Sequence, residues 1–352
     1  MGSLNKTTFN TTWIQLEKPD NFDDPNHDLN FKRKSKNLPA IKTNIQAICN
    51  LPWDALTVDY KGRVFICSCD GWLPFPIGNV LDFGTIDDAF NSAQAKTIQQ
   101  SVLDKTYNFC STVDCGISES KFRDDPSLGL SHRSIDLNIT IDTSCNLSCP
   151  SCRERIIFVK DKEMLSEKFT WINQMVNWVN TTNRKVNVRY GGGDPFASLL
   201  YKETFKLFAK NNNVNFTIMT NGLLIKNNKH SISKIFDRIH FRISIDASTK
   251  ETYEKIRRGG KWEQLLENLE YLKSKISPNK KPHGIFIIQT GNFKEIPKFI
   301  NFCEEYSMIP KFALVEDWGT WHNYAEHCVH IPESPHYAEF TKIIKDYNIK
   351  IG

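Results

Sequence analysis

Three cysteines dominate the chemistry this chain can be expected to do. Cys145, Cys149 and Cys152 lie in the run Asp142-Thr143-Ser144-Cys145-Asn146-Leu147-Ser148-Cys149-Pro150-Ser151-Cys152, with three residues between the first pair and two between the second. The run follows directly on the alternating apolar segment Ile135-Asp136-Leu137-Asn138-Ile139-Thr140-Ile141. Three thiolates on one short loop can hold a cubane iron–sulfur cluster and leave its fourth iron without a protein ligand. An open iron is a place where a small molecule binds. The competing reading is a zinc knot. A structural zinc site wants four protein ligands, however, and no Cys or His follows closely after Cys152.

The elements around this loop read as a parallel sheet wrapped by helices. Short apolar segments predict strands at 135–141, 185–190, 214–220, 238–246, 284–290 and 311–316, and helical periodicity predicts helices at 166–180, 199–211, 262–274 and 294–305. Six strand–helix units make an incomplete barrel, whose active site belongs at the C-terminal ends of the strands. Candidate binding segments fall at those ends. After the second strand comes Tyr190-Gly191-Gly192-Gly193-Asp194-Pro195, where glycines allow close backbone approach or positive φ. The third strand ends in Met219-Thr220-Asn221-Gly222, which also reads as plain turn chemistry. In Arg242-Ile243-Ser244-Ile245-Asp246-Ala247, Ser244 and Asp246 share one side of a strand if the strand runs through both.

The cysteine run resembles the cluster loop of the radical S-adenosylmethionine (SAM) enzymes, and the other segments fall where that family carries its SAM contacts. Gly192, Gly193, Asp194 and Pro195 match the family's Gly-Gly-Glu-Pro segment, with Asp for Glu, which implies reception of the SAM amino group, by backbone carbonyls if the shorter acid does not reach. The resemblance also implies that Thr220 and Asn221 lie near the ribose and methionine, that Ser244 and Asp246 bind ribose hydroxyls, and that Arg257 pairs with the SAM carboxylate. The chain departs from the family at Ser151, where an aromatic residue usually precedes the third cysteine. Its counterpart of the strand-five glycine motif, Gln289-Thr290-Gly291-Asn292, is loose.

Five more cysteines precede the barrel: Cys49, Cys67, Cys69, Cys110 and Cys115. The segment 56–66 alternates about Lys61-Gly62 and reads as a hairpin, followed by a helical stretch over 86–103. Two cysteines bracketing a hairpin and a pair after a helix resemble the twitch module of radical SAM enzymes, a shortened SPASM domain. The resemblance implies that Cys49, Cys67, Cys110 and Cys115 hold an auxiliary cluster, with Cys69 as the alternative to Cys67. In the familiar members this module follows the barrel; an order with it in front resembles the twitch-domain radical SAM proteins of phages and some bacteria. A four-cysteine zinc ribbon is the competing reading, but ribbons usually pair cysteines two residues apart.

Composition sets the remaining bounds. At 352 residues the chain has room for a catalytic domain and one smaller module. Its 45 Lys and Arg against 40 Asp and Glu give no strongly basic surface, so nucleic acid is not an expected partner. The first sixteen residues are polar and no apolar run is of spanning length, so no membrane role is expected and the expected compartment is the cytoplasm. In that setting ten cysteines read as metal ligands rather than disulfides.

The expected architecture is α/β: a flexible arm over 1–40, a small α+β twitch domain over 41–125, a partial (β/α)6 TIM-like radical SAM barrel over 131–316, and a tail over 317–352 covering it. The resemblance implies two [4Fe-4S] clusters and SAM, a flavodoxin- or ferredoxin-like reductant, and cleavage of SAM to a 5′-deoxyadenosyl radical that takes hydrogen from substrate. The expected outcome is an oxidation or cross-link on a peptide side chain, with the auxiliary cluster as electron acceptor. The alternatives are the same chemistry on a sugar or nucleotide, or a non-catalytic iron–sulfur carrier or zinc-binding nucleic-acid module. No residue stands out as a catalytic acid or base.

Overall fold

A period of two, apolar then polar, divides the barrel sheet into two unlike faces. The computed structural model describes residues 48–67, 73, 75–107, 109–110, 122–123 and 134–351. Its barrel strands are β6 (Ile135–Ile139), β7 (Val186–Tyr190), β8 (Val214–Thr220), β9 (Ile239–Ser244), β10 (His283–Ile288) and β11 (Ile309–Leu314). All six run parallel and pair in chain order. In β6, Ile135, Leu137 and Ile139 are buried while Asp136 and Asn138 are half-buried, and β7 and β9 repeat the pattern.

The buried set faces the helices. Tyr190 meets Phe205 edge-on at 5.1 Å between ring centroids, and Phe286 meets Phe299 at 4.8 Å. Those partners lie on α5 (Leu199–Phe208) and α9 (Ile296–Glu305). With helices on one face, the half-polar face becomes the interior of the barrel. Local signals start the helices: Asp161 accepts from Met164 N to begin α4 (Lys162–Thr181), and Ser198 accepts from Tyr201 N to begin α5.

The amino-terminal module is not a separate layer. After the single-turn α1 (Leu51–Asp54), β2 (Ala55–Val58) and β3 (Arg63–Ile66) form the expected hairpin, turning at Gly62 with φ +71°. β2 then pairs in parallel with β6, Ala55 opposite Asp136 and Val58 opposite Ile139. With β4 (Gly78–Asn79) on the far edge of β3, one nine-stranded sheet runs through both modules. A small ribbon pairs β1 (Ile48–Cys49) with β5 (Phe122–Arg123).

The single helix expected over 86–103 is two, α2 (Ile86–Asn91) and α3 (Ala93–Leu103). Ser92 leaves the helical region (ψ 155°) and its hydroxyl caps Ala95 N. Helix α4 ties this module down: Trp178 Nε1 donates to Phe83 O at 2.9 Å and Asn177 Nδ2 to Gly84 O at 2.9 Å. The remaining helices are α6 (Lys229–Ile232), α7 (Lys250–Ile256), α8 (Trp262–Lys273) and α10 (Tyr337–Asp346).

The arm over 1–40, Cys69 and Cys115 lie outside the described residues. The tail leans on the ends of β10 and β11: Thr290 N donates to His327 O at 3.0 Å and Tyr324 OH to Val315 O at 2.6 Å. Among the described residues no helix is long and apolar enough to cross a membrane.

Trp178 is fully buried and carries the join between the modules. Trp178→Ala should lower stability by about 3–5 kcal/mol, read as a lower urea midpoint by circular dichroism. Unchanged stability would show that the α4 contact does not hold the two modules together.

Candidate functional site

The cysteine loop leaves the C-terminal end of β6 and is pinned by its own backbone. Cys145 and Ile157 exchange both N–H···O bonds, at 2.7 and 3.2 Å, and Cys149 O accepts from Cys152 N and Arg153 N. The turn after β7 lies directly beneath. A Cβ on Gly193 would stand 2.1 Å from Ser144 O, and one on Gly192, at φ +89°, 2.5 Å from Asp142 O. These glycines therefore let the turn approach the cluster loop itself. Arg153, buried, locks the two together, donating from Nη1 to Thr143 O at 2.7 Å and from Nη2 to Gly192 O at 2.8 Å.

Asp194 turns inward. Its carboxylate accepts from Thr220 Oγ1 (2.8 Å), Asn221 N (2.7 Å) and Phe196 N (3.0 Å), and its own N–H donates to Ser144 O at 2.8 Å. Burial raises its pKa against these donors. Its side chain thus joins the ends of β7 and β8, while Pro195 is buried beside it and Gly192 is exposed. Asn221 reaches the cluster loop through Asn146 Oδ1 at 2.9 Å.

The expected one-sided pair Ser244 and Asp246 is not continuous strand. β9 ends at Ser244, and Asp246 takes φ +61°, so the alternation stops between them. Asp246 is buried and its Oδ1 accepts from Ile287 N at 2.7 Å. Its Oδ2 lies 2.6 Å from Arg257 Nη2. Arg257 also brings Nη1 to 3.9 Å from Cys149 Sγ, and its buried Nε has no hydrogen-bond partner. Here Asp246 and Arg257 pair with each other at the edge of the cysteine loop. Burial works against both charges; on Arg257, Asp246 and the Cys149 sulfur outweigh it and hold the pKa above its usual value.

Burial pushes the Cys145 thiol up to about 11 and raises Cys149, while Arg153 and Arg257 respectively pull them down. Arg153 Nη2 is also 3.5 Å from Cys152 Sγ. Buried and half-buried sulfurs faced by two guanidinium groups suit a cluster whose thiolate-ligated form is anionic, so the donor set fits the cubane expected from the loop. Among the described residues no group of three His, Cys, Asp or Glu side chains is ready-made for a single metal ion.

In the amino-terminal module Cys49 and Cys110 flank Tyr107, whose hydroxyl accepts from Cys49 N at 3.2 Å and whose pKa is pushed up to about 12, by burial first and then by the two sulfurs. Cys67, directly after β3, takes a left-handed conformation, φ +79°.

Comparison with known proteins follows the same division. The radical SAM superfamily model matches residues 139–303, and that of an iron–sulfur cluster-binding domain, SPASM, matches residues 49–116. Residues 139–303 are thus similar to the radical SAM superfamily, and residues 49–116 to a SPASM domain. Relatives of this chain include a GTP 3′,8-cyclase of Alkaliphilus metalliredigens, 32% identical over 177 residues, covering 48% of this chain and 52% of the relative. Another, of Limosilactobacillus fermentum, is 25% identical over 180 residues, covering 50% and 52%. The chain thus spans about half the length of these curated relatives. Among solved structures, Streptococcus suis SuiB bound to S-adenosylmethionine aligns with TM-score 0.44 at 13% identity, covering 89% of this chain and 72% of SuiB.

Several residues at the site gave no sequence signal. Arg153 looks like any basic residue after a cysteine loop. Tyr201 Oη meets the backbone at Asp142 N and Gly191 O, and Lys168, buried on α4, donates to Ile141 O. Their partners are backbone groups supplied by distant segments, which no local pattern encodes.

Gly193→Ala should displace Ser144 and with it the cysteine loop. The expected result is loss of about half the iron of the reconstituted protein, four irons per cubane, with circular dichroism unchanged. Full iron content would show that the glycine contact does not position the loop.

Proposed function

We propose that this chain is an enzyme that holds a [4Fe-4S] cluster on Cys145, Cys149 and Cys152 and binds SAM beside it. The observation that supports it most is the meeting, at one end of the barrel, of three buried or half-buried thiols with two guanidinium groups and the turns after β7, β8 and β9. When bound, the cluster and SAM supply one-electron reductive cleavage to a radical that takes hydrogen from substrate. The chain's own groups orient and shield. The carbonyls of the exposed Gly192 turn can accept from the SAM amino group, and Thr220 and Asn221 fix that turn through Asp194. Ser244 at the end of β9 is the open hydroxyl donor for the ribose. Arg257, charged and half-buried, serves the SAM carboxylate if it shares or exchanges its bond to Asp246.

A second [4Fe-4S] cluster on Cys49, Cys67, Cys110 and Cys115, with Cys69 as alternative, is the fuller reading of the SPASM match. With four protein thiolates it favours electron acceptance over substrate ligation, hence an oxidation or a cross-link. The proposed setting is the cytoplasm with a flavodoxin- or ferredoxin-like reductant. For substrate, a peptide side chain is one reading and a nucleotide the other; the name GTP 3′,8-cyclase borne by half-length relatives favours the nucleotide.

Anaerobically reconstituted protein should carry about eight irons, and replacement of Cys145, Cys149 and Cys152 by Ala should remove about half. With a strong reductant the wild type should release 5′-deoxyadenosine and the triple variant none. Stoichiometric zinc, or methylated product without 5′-deoxyadenosine, would overturn the proposal.

Asp246→Asn tests the pairing with Arg257. Leaving this half-buried guanidinium, whose Nε is inaccessible, without its counter-charge should cost about 3–5 kcal/mol of stability, measured by denaturant unfolding. It should also weaken SAM binding while iron content is kept. Wild-type stability would show that Arg257 does not depend on Asp246.

A further inference from the structure

The six barrel strands carry a single acid, Asp136, against three permanent cations, Arg189, Arg242 and Lys311, and two histidines, His240 and His283. All six residues occupy the half-polar positions that face the barrel interior, and the strand register puts them on neighbouring rungs: Arg242 is opposite His283, Thr217 stands between Arg189 and His240, and Lys311 is opposite Ile285, two residues along from His283. Asp136 takes one of the cations, with Oδ2 at 2.7 Å from Arg189 Nη2. Among the described residues Arg242 and Lys311 make no ion pair, and the buried Nε atoms of both Arg189 and Arg242 have no hydrogen-bond partner.

Buried guanidinium nitrogen without an acceptor is costly, and proteins rarely leave it so without a use. Adjacent like charges on a half-buried surface add to that cost. A bound anion would relieve both at once. The histidines fit the same role. His240 Nε2 and His283 Nδ1 lie 3.2 Å apart with the rings near perpendicular, so one donates to the other and the outer nitrogens remain for a ligand. Burial, together with the neighbouring cations, lowers both, His283 to about 4, so the pair is uncharged at neutral pH and offers hydrogen bonds without adding repulsion. The surface stays open to solvent, with Lys311 exposed and the Arg189 side chain 40% exposed.

We propose that the substrate carries an oxyanion group, phosphate or carboxylate, which seats inside the barrel between Arg189, Arg242 and Lys311 with His240 and His283 as hydrogen-bond partners. Guanidinium forks match the paired oxygens of either group. This rests on the barrel being the catalytic chamber, and the test separates the two.

Inorganic tripolyphosphate and citrate are titrated by calorimetry into the anaerobically reconstituted full chain at low salt, and 5′-deoxyadenosine release is measured on the same preparation. Saturable binding of one anion per chain is expected, weakened about tenfold or more in Arg242→Gln and in Lys311→Gln, the effect of losing one charge-assisted hydrogen bond. It should be unchanged in Lys294→Gln, a surface residue paired with Glu339. Tighter binding of tripolyphosphate assigns a phosphate-bearing substrate, and tighter binding of citrate a carboxylate-bearing one. If neither anion binds, or the exposed-site variant Lys311→Gln and Arg242→Gln both bind as the wild type does, the proposal is overturned. If anions bind but no 5′-deoxyadenosine forms, the catalytic reading falls and the anion site stands. If 5′-deoxyadenosine forms without anion binding, the reverse holds.

Discussion

Backbone lying on backbone is the constraint on which this site depends. Between the Gly191–Gly193 turn and the Asp142–Ser144 segment there is no room for a side chain, and the gap is closed by one buried guanidinium, Arg153, bound to a carbonyl on each side. The hydroxyl of Tyr201 reaches the same two segments from below. Three thiols on a loop of a few residues would otherwise sample many arrangements. Anchored on both flanks, the loop holds its sulfurs on one side, at the end of the sheet where other strands also end.

Charge balance at that end is arranged in pairs rather than singly. Arg153 and Arg257 face the sulfurs, Asp246 neutralises part of Arg257, and Asp194 is satisfied by hydrogen bonds from Thr220, Asn221 and Phe196 instead of a cation. The left-handed backbone of Asp246 is the means: an aspartate tolerates that conformation better than most residues, and it turns the carboxylate from the strand direction toward Arg257. Isolated ions buried this deeply would shed their charge; the pairing and hydrogen bonds work against that desolvation.

The continuity of the sheet gives the two modules a fixed relation. Because β2 hydrogen-bonds along β6, the hairpin that leads to Cys67 is in register with the strand that leads to Cys145. A flexible tether between modules would leave the distance between their cysteines free, whereas a shared strand pair sets it. The Trp178 and Asn177 bonds from α4 brace the other side.

The sequence by itself determined the cysteine spacing, the two-residue alternation of the barrel strands, the hairpin about Gly62 and the glycine turn after β7. Each is a local signal, set by side-chain type within a few neighbours, and each reappears in the structure within a few residues of where the pattern puts it. What the tertiary structure decided is where side chains spend their hydrogen bonds. Asp246 and Arg257 read separately as SAM contacts, yet they meet because β9 ends and α7 returns to it. Ser92 divides a helix because its hydroxyl is worth more as a cap than its backbone is as a helical residue. Arg153 and the cationic barrel interior were invisible in the chain because the groups they face come from separate segments, and only folding of the sheet brings those partners within bonding distance.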